Sequence, residues 1–214
     1  MRVGFYLVGS SPEYRYLGGL AAQVAKQTMP GVKVVHFTDI NSPRIPNVDE
    51  VKRMPKECPM AVFRMRHHQT PGDWLFIDVD VLVVKNVQNV FDEQFDIAIA
   101  SRLKNDGAQH DYFAEMPHNM GVVFSRSPEF WAAAEKELLT YEPKMQEWMG
   151  DQLAVCRLIK RGGFDTRIVP GEDYNFAPNS LDAGGGASIL HFKGPRKNFM
   201  AARANELLRL EAVA

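Results

Sequence analysis

Apolar runs of strand length alternate with amphipathic helical segments along most of this sequence. Short apolar runs bounded by turn residues predict buried strands, and apolar residues on neighbouring helical turns predict helices that cover a sheet. This alternation predicts an α/β fold with helices on both faces of the sheet. In such folds ligands bind beyond the carboxyl ends of the strands. A length of 214 residues is that of one domain, so we expect residues 1–214 to form a single domain.

The predicted elements are short and closely spaced. The predicted strands are 2–8, 32–37, 74–77, 81–84, 95–100, 121–124, 166–169 and 187–191. The predicted helices are 14–28, 60–69, 128–139, 151–161 and 198–213. Two connections are long: 41–59 is rich in Pro and Asn, whereas 101–120 is polar and long enough to indicate a functional loop. For helix 198–213 the sequence leaves two interpretations, packing in the core and contact in a homodimer.

The composition excludes several classes of protein. Lys and Arg number 25 and Asp and Glu 26, a net charge of −1, which predicts neither nucleic acid nor an anionic membrane surface as the main partner. No segment approaches the ~18 apolar residues of a transmembrane helix. Residues 9–14 interrupt the first apolar run where a secretory signal would continue. The two cysteines, Cys58 and Cys156, lie outside metal-binding spacings. We therefore expect a soluble cytoplasmic protein.

Two carboxylates, Asp78 and Asp80, interrupt the most apolar part of the chain, between 74–77 and 81–84. If the segment is extended, residues two apart point to the same face. Two ionised carboxylates at such a short distance repel each other, and they are costly to bury unless a cation lies between them. A hard divalent ion with open positions for phosphate oxygens would remove that cost.

Two other interpretations of the pair remain open from the residues alone. The first is a polar β-turn whose aspartates cap backbone groups. The second is the phosphatase motif Asp-x-Asp-x-[Thr/Val], with a nucleophile and a general acid, which Asp78-Val-Asp-Val81 matches. That motif usually follows the first strand and needs a later acidic pair. Here two strands precede it and no Asp-Asp pair follows, which disfavours a phosphatase.

Further motifs occur along the chain in a fixed order. They are Tyr14-x-x-x-Gly18-Gly-Leu20, Val62-Phe63-Arg64, Asp78-x-Asp80, His118-Asn119-Met-Gly121, Gly150-Asp151-Gln152, Tyr174-Asn175 and His191-Phe-Lys-Gly194-Pro-Arg-Lys197. Together they resemble the family 8 glycosyltransferases, which include glycogenin and the lipopolysaccharide galactosyltransferases. The resemblance spans nearly the whole chain. Asn198 and Phe199 stand where the family often has Pro-Trp, and we expect only the short helix 198–213 where family members commonly carry longer C-terminal segments.

The resemblance implies a single domain with the GT-A fold, a Rossmann-like mixed sheet flanked by helices. It also implies transfer of a sugar, with retention, from a UDP-linked donor to a glycan, lipid-linked or protein acceptor. The expected cofactor is Mn²⁺, or Mg²⁺, bound by Asp78, Asp80 and His191. A sugar-nucleotide-binding protein without transfer activity is the alternative.

The resemblance further implies roles for individual residues. Asp151 and Gln152 are the expected catalytic residues, near the donor sugar and its anomeric carbon. The expected donor-binding residues are Val8, Gly9, Ser10, Tyr14, Arg64, Asp78, Asn119, Gly194 and Lys197. Of these, Tyr14 is expected to stack on uracil, and Lys197 to neutralise the departing diphosphate.

Two other features have less specific interpretations. His67 and His68 follow Arg64 and Arg66 on a predicted helix, which indicates a solvated basic face. Met145, Trp148 and Met149 precede Asp151, and we interpret them as packing in the core or along an acceptor groove.

Overall fold

The computed structural model describes residues 1–103, 114–181 and 183–210. These residues form nine strands: β1 (Arg2–Tyr6), β2 (Lys33–Asp39), β3 (Glu50–Met54), β4 (Trp74–Ile77), β5 (Val81–Val83), β6 (Ile97–Ser101), β7 (His118–Ser125), β8 (Thr166–Val169) and β9 (Ile189–His191). They also form seven α-helices: α1 (Pro12–Thr28), α2 (Met60–His68), α3 (Pro128–Leu138), α4 (Pro143–Glu147), α5 (Gly150–Arg161), α6 (Gly171–Tyr174) and α7 (Lys197–Leu210). Short 3₁₀ helices occupy Gln88–Asp92 and Gly194–Arg196.

The central sheet has seven strands in the order β3-β2-β1-β4-β7-β6-β8. The pairs β1–β2, β2–β3, β1–β4 and β6–β8 are parallel, whereas β7 runs antiparallel to β4 and β6. The predicted mixed α/β sheet is therefore confirmed. Because β7 is antiparallel to β4, the start of β7 lies beside the carboxyl end of β4.

Both faces of the sheet are buried. Along β4, Trp74 and Phe76 belong to one apolar cluster and Leu75 and Ile77 to the other, because successive side chains of a strand point to opposite faces. Helices α2, α3 and α5 supply the first cluster, and α1 and α7 supply the second together with the small sheet. Burial on both faces explains why β4 is a continuous apolar run.

A second sheet pairs β5 with β9, antiparallel, and sets Val81 opposite His191. Because β5 begins directly after Asp80, this pairing brings residues 78–80 beside His191, more than a hundred positions later in the chain. The strand β9 is followed by the 3₁₀ turn Gly194–Arg196 and by α7. The small sheet therefore joins the two halves of the expected metal site.

Helix α7 packs in the core against α1. Met200 and Ala204 are fully buried in the same cluster as Leu17 and Ala21, and Gln27 donates a hydrogen bond to the carbonyl of Leu207. This supports the core-packing interpretation of the terminal helix. Across the part of the chain that the structure describes, no helix has both the length and the apolar character needed to cross a bilayer.

Three sequence predictions need correction. The connection 41–59 contains the edge strand β3, whose residues are largely half-exposed and mostly charged, so it lacks an apolar run. The predicted loop 101–120 contains the start of β7 at residues 118–120, and its residues 104–113 lie outside the described ranges. His67 and His68 do not form a solvated face: they are 3 % and 2 % exposed.

The reason for the histidine error is the packing of α2. His67 packs edge-on against Phe63 and Phe37, and His68 stacks on Phe76 in β4 at a ring-centroid distance of 4.0 Å. Burial lowers the pKa of His67 to about 4 and that of His68 well below its ordinary value. Both imidazoles are therefore neutral parts of an aromatic core.

Candidate active site

The Asp78-Val79-Asp80 segment is a turn between β4 and β5. The N–H of Val81 donates to the carbonyl of Asp78 at 3.2 Å, which closes the turn, so the extended geometry considered from the sequence is wrong. The N–H of Asp78 donates to the carbonyl of Gly121 in β7 at 3.0 Å, and the carbonyl of Asp80 accepts from Phe192 at 2.8 Å. Both ends of the turn are therefore anchored to strands or segments that carry other expected site residues.

The side chains of Asp78, Asp80 and His191 converge. Each offers one ligand atom, and these atoms lie within 4.8 Å of one another. His191 Nε2 is 3.4 Å from Asp80 Oδ1 and 3.8 Å from Asp78 Oδ2. After a small closure the three donor atoms could contact one small divalent ion, with its other positions open to phosphate oxygens or water.

Asn175, just after α6, orients His191. Its Oδ1 accepts a hydrogen bond from His191 Nδ1 at 2.8 Å, and both residues are buried. With Nδ1 donating to Asn175, Nε2 is the nitrogen that faces the two aspartates: it can hydrogen-bond to Asp80 in the metal-free protein, and it offers its lone pair to an ion once it is deprotonated. The chemistry of the three donors and this ring orientation both fit a divalent ion.

Gly121 makes room for the imidazole. A Cβ on Gly121 would lie 2.1 Å from His191 Cε1 and 2.6 Å from Nδ1. The ring therefore packs directly on the backbone of β7, and any larger residue would displace it. The motif that contains Gly121 does not by itself indicate this contact.

Lys197, the first residue of α7, lies at the same cluster. Its Nζ is 2.9 Å from Asp80 Oδ2 and 5.7 Å from the ring centre of Tyr14. Burial opposes the charged forms of both groups, but the pKa of Asp80 is held well below its usual range by hydrogen bonding to His191 and by Lys197. For Lys197, Asp80 raises the pKa. The site thus presents a cation beside the expected metal position.

Arg64, on α2, connects Asp78 with Asp151. Its Nη2 donates to Asp78 Oδ1 at 2.9 Å and to the carbonyl of Met120 at 3.0 Å, and Nη1 lies 3.5 Å from Asp151 Oδ2. Burial opposes the charge of the guanidinium, but the two carboxylates raise the pKa of Arg64. The guanidinium stays charged and holds both acids in place.

Asp151 and Gln152 begin α5 and are both buried. Asp151 Oδ1 accepts the N–H of Gln152 at 2.8 Å, and Gln152 Oε1 accepts the N–H of Met120 at 3.2 Å. Burial raises the pKa of Asp151, against the lowering effect of Arg64. Within the described structure, both carboxylate oxygens of Asp151 have protein partners.

A cleft of about 270 Å³ lies over these residues. Of the expected site residues it is lined by Arg64, Asp78, Asn119, Asp151 and Gln152. The register between β6 and β7 shifts here, since Ile99 pairs with Val123 but Ala100 with Asn119. Such irregularities re-aim side chains, and Asn119 Oδ1 accepts the N–H of Gly121 at 2.9 Å.

The expected nucleotide residues lie near the end of β1 and at Gly194. Gly9 has a φ of +103° and donates its N–H to Ser42 Oγ at 2.7 Å, Val8 is half-buried, and Ser10 is exposed. Tyr14 is 38 % exposed on the first turn of α1. Gly194 has a φ of +58°, which a residue with a side chain rarely adopts, and open space around its Cα.

Two polar residues of the cleft and one supporting residue were not predicted from the sequence. Tyr6 ends β1, and its ring lies 6.0 Å from the Arg64 guanidinium; its place at a strand end was the available signal. Glu147 lines the cleft opposite, with no signal in the sequence. Asn175 belonged to a recognised motif, but its contact with His191 depends on the tertiary structure.

Comparison with known proteins finds a likeness at the level of the fold. No model of a protein family matches the sequence, and no curated protein sequence does. Solved structures do match. The galactosyltransferase LgtC, in complex with donor and acceptor sugar analogs, superposes with a TM-score of 0.59 at 14% identity, over 100% of this chain and 96% of that one. The chain has the GT-A fold.

Two further glycosyltransferases are similar. GlyE of Streptococcus pneumoniae TIGR4 superposes with a TM-score of 0.60 at 15% identity, over 98% of this chain and 64% of GlyE. The bifunctional glycosyltransferase WbbM, in its apo form, does so with a TM-score of 0.63 at 10% identity, over 98% of this chain and 51% of WbbM. At these identities the likeness establishes the fold alone.

Proposed function

We propose that this chain is a metal-dependent glycosyltransferase that moves a sugar from a UDP-linked donor to an acceptor hydroxyl with retention. The observation that carries the proposal is the convergence of Asp78, Asp80 and His191 beside Lys197. This cluster adjoins the cleft that contains Asp151 and Gln152. Transfer of a sugar from a nucleotide-sugar needs a diphosphate site and a sugar site. On this GT-A fold the cluster would supply the first and the cleft the second.

Asp78, Asp80 and His191 would hold Mn²⁺. Two carboxylates with one imidazole suit Mn²⁺ better than Mg²⁺, which prefers oxygen ligands and water. When bound, the ion supplies positive charge that offsets the charge developing on the departing nucleoside diphosphate. Lys197 would add to that charge, because its ammonium already lies 2.9 Å from Asp80.

The remaining donor residues would position the nucleotide and the sugar. Tyr14 would stack on uracil, while the backbone at residues 8–10 and at Gly194 would approach the ribose and phosphates. Asn119, Asp151 and Gln152 would contact the sugar, since all three line the cleft. Arg64 would keep Asp151 ionised and oriented through its contact at 3.5 Å.

Transfer breaks the bond between the anomeric carbon and the diphosphate oxygen. It forms a bond to the acceptor oxygen on the same face of the sugar, and the proton of the acceptor hydroxyl passes to the departing diphosphate oxygen. Asp151 and Gln152 are proposed to hold the sugar at this carbon. Because both Asp151 oxygens are engaged by Gln152 and Arg64, orientation of the sugar is the role that the geometry favours for this carboxylate.

The hydrogen bonds that occupy both Asp151 oxygens also favour a second candidate function. In it the protein binds a sugar nucleotide without transferring the sugar. Turnover distinguishes the two. A transferase slowly hydrolyses UDP-glucose or UDP-galactose with Mn²⁺ and loses this activity in Asp80→Ala, whereas a binding protein leaves the donor intact.

The metal site is tested by calorimetry with UDP-sugars in the presence of Mn²⁺. We expect Asp78→Asn and Asp80→Asn to abolish Mn²⁺-dependent binding while the far-UV circular dichroism is retained. Asp92→Asn, at an exposed carboxylate, is the matched control and should bind as the wild type does. Unchanged binding in both site variants would refute the metal assignment.

A further inference from the structure

An apolar groove of about 390 Å³ adjoins the cleft described above. Its apolar lining is formed by Met116, Met145, Trp148, Met149 and Leu153. Glu115 and Lys144 are the charged members of its lining. Volumes of this size are typical of small-molecule sites, and such a lining suits a hydrocarbon or aromatic group better than a free sugar.

The groove is continuous with the proposed sugar site. Trp148 and Met149 line both spaces. Met116 also contacts the amide of Gln152, with its sulfur 3.6 Å from Nε2. If an acceptor places its hydroxyl near Gln152, the part of the acceptor that follows the hydroxylated group therefore lies at the mouth of the groove.

The exposed wall of the groove is held in place by its surroundings. Trp148 is 72 % exposed, whereas Trp74 and Trp131 are fully buried. The next residue, Met149, has a φ of +69°, a conformation that is unfavourable for a residue with a side chain. Strained backbone of this kind clusters at ligand sites.

Contacts on either side maintain that conformation. The Glu147 carboxylate accepts the N–H of Met60 at 3.1 Å and so ties α4 to α2. A Cβ on Gly150 would lie 2.1 Å from the carbonyl of Met145, so α4 packs directly on the start of α5. The indole is thus displayed to solvent by an anchored segment.

We propose that this groove binds the apolar tail of the acceptor, so that the acceptor is an amphiphile with a hydroxylated head and an alkyl or aryl tail. The inference rests on the proposed glycosyl transfer, since it assigns the head to the cleft beside Gln152. Lys144 and Glu115 would lie at the rim, where the tail meets water.

Binding is tested with octyl β-D-galactoside below its micellar concentration, compared with methyl β-D-galactoside. The fluorescence of Trp148 reports occupancy, because the two other tryptophans are buried. We expect the octyl glycoside, and not the methyl glycoside, to shift the tryptophan emission to shorter wavelength. Leu153→Gln and Met145→Gln should each weaken its binding at least tenfold, which corresponds to about 1.4 kcal/mol.

Leu139→Gln is the matched control, because Leu139 is 50 % exposed and does not line the groove. It should leave octyl glycoside binding unchanged. Equal binding of the octyl and methyl glycosides, or undiminished octyl binding in both groove variants, would overturn the proposal. So would a monomer–dimer equilibrium in which Trp148 is covered by a second copy and the glycoside does not compete.

Donor turnover separates this inference from the proposed function. Mn²⁺-dependent hydrolysis of the UDP-sugar without acceptor tests transfer chemistry alone, and Leu153→Gln should not alter it. The octyl glycoside should change the rate of donor consumption in the wild type but not in Leu153→Gln. Hydrolysis that proceeds without any octyl effect refutes the groove and leaves the transferase intact, whereas a lack of hydrolysis refutes the transferase.

Discussion

Asn175 Oδ1 and His191 Nδ1 lie 2.8 Å apart, and both side chains are buried. An amide oxygen only accepts hydrogen bonds, so Nδ1 carries a proton and Nε2 is the nitrogen left to bind a metal. Nε2 is the atom that lies 3.4 Å from Asp80. One hydrogen bond between α6 and β9 thus determines which nitrogen can bind a metal.

Replacing Asn175 should weaken metal binding without unfolding the protein. We expect Asn175→Ala to lower the affinity for Mn²⁺ about 10- to 100-fold, because partners that orient a ligating histidine have effects of this size. Electron paramagnetic resonance of free Mn²⁺ during a titration measures the affinity. Asn86→Ala, at an exposed asparagine, is the control. Equal affinities in the two variants would show that Asn175 does not orient the ligand.

Adding one methyl group at Gly121 should disrupt the same site. The new Cβ would overlap His191, so we expect Gly121→Ala to lose Mn²⁺ affinity and to lower the free energy of unfolding by about 1–3 kcal/mol. Gly185→Ala, where the Cβ would meet open space, should change neither quantity appreciably. Urea unfolding measures the free energy of unfolding, and the Mn²⁺ titration measures the metal affinity. Normal metal binding in Gly121→Ala would contradict the close packing of ring and backbone.

Removing Arg64 should leave two carboxylates without their partner. Because the ion pairs with Asp78 and Asp151 are largely buried, we expect Arg64→Met to lower the free energy of unfolding by about 3–5 kcal/mol. Adding Asp151→Asn should recover part of the loss. Arg66→Met, two residues further on the same helix with a more exposed ion pair, should lose less than about 1 kcal/mol. Equal losses at the two arginines in urea unfolding would contradict this assignment.

The buried histidines of α2 should make the protein sensitive to acid. The pKa of His67 is depressed to about 4 in the folded protein, so the unfolded chain, with a pKa of about 6.5, binds the proton first. The resulting stability is present above about pH 6.5 and is lost as the pH falls towards 4. We expect a loss of about 2 kcal/mol by pH 5 from this residue.

His67→Phe tests this effect, since phenylalanine keeps the ring contacts and cannot be protonated. The variant should lose less stability than the wild type between about pH 7 and pH 5 in urea unfolding. Parallel losses in the two proteins would show that His67 does not contribute.

Strong local patterns made much of the fold predictable. The continuous apolar run of β4 predicted a buried strand. The helix predicted over 128–139 is α3, whose start is capped by Ser127, since Ser127 Oγ accepts the N–H of Phe130. The edge strand β3 was missed because a mostly charged strand depends on its neighbour β2 rather than on its own apolar residues. The site ligands Asp78, Asp80 and His191 were predicted through motif order, and the structure brings them together.

The sequence by itself determined the residue types of the site and their order, because chemistry that binds a cation and a diphosphate requires carboxylates, imidazole and lysine. Only the tertiary structure decided how they are held. The hydrogen bond from Asp78 to Gly121, the hydrogen bond from His191 to Asn175 and the contact of Arg64 with Asp151 all join residues that lie on different elements of the chain. Local patterns carry no information on such contacts, because their energies exist only once the sheets and helices have packed together.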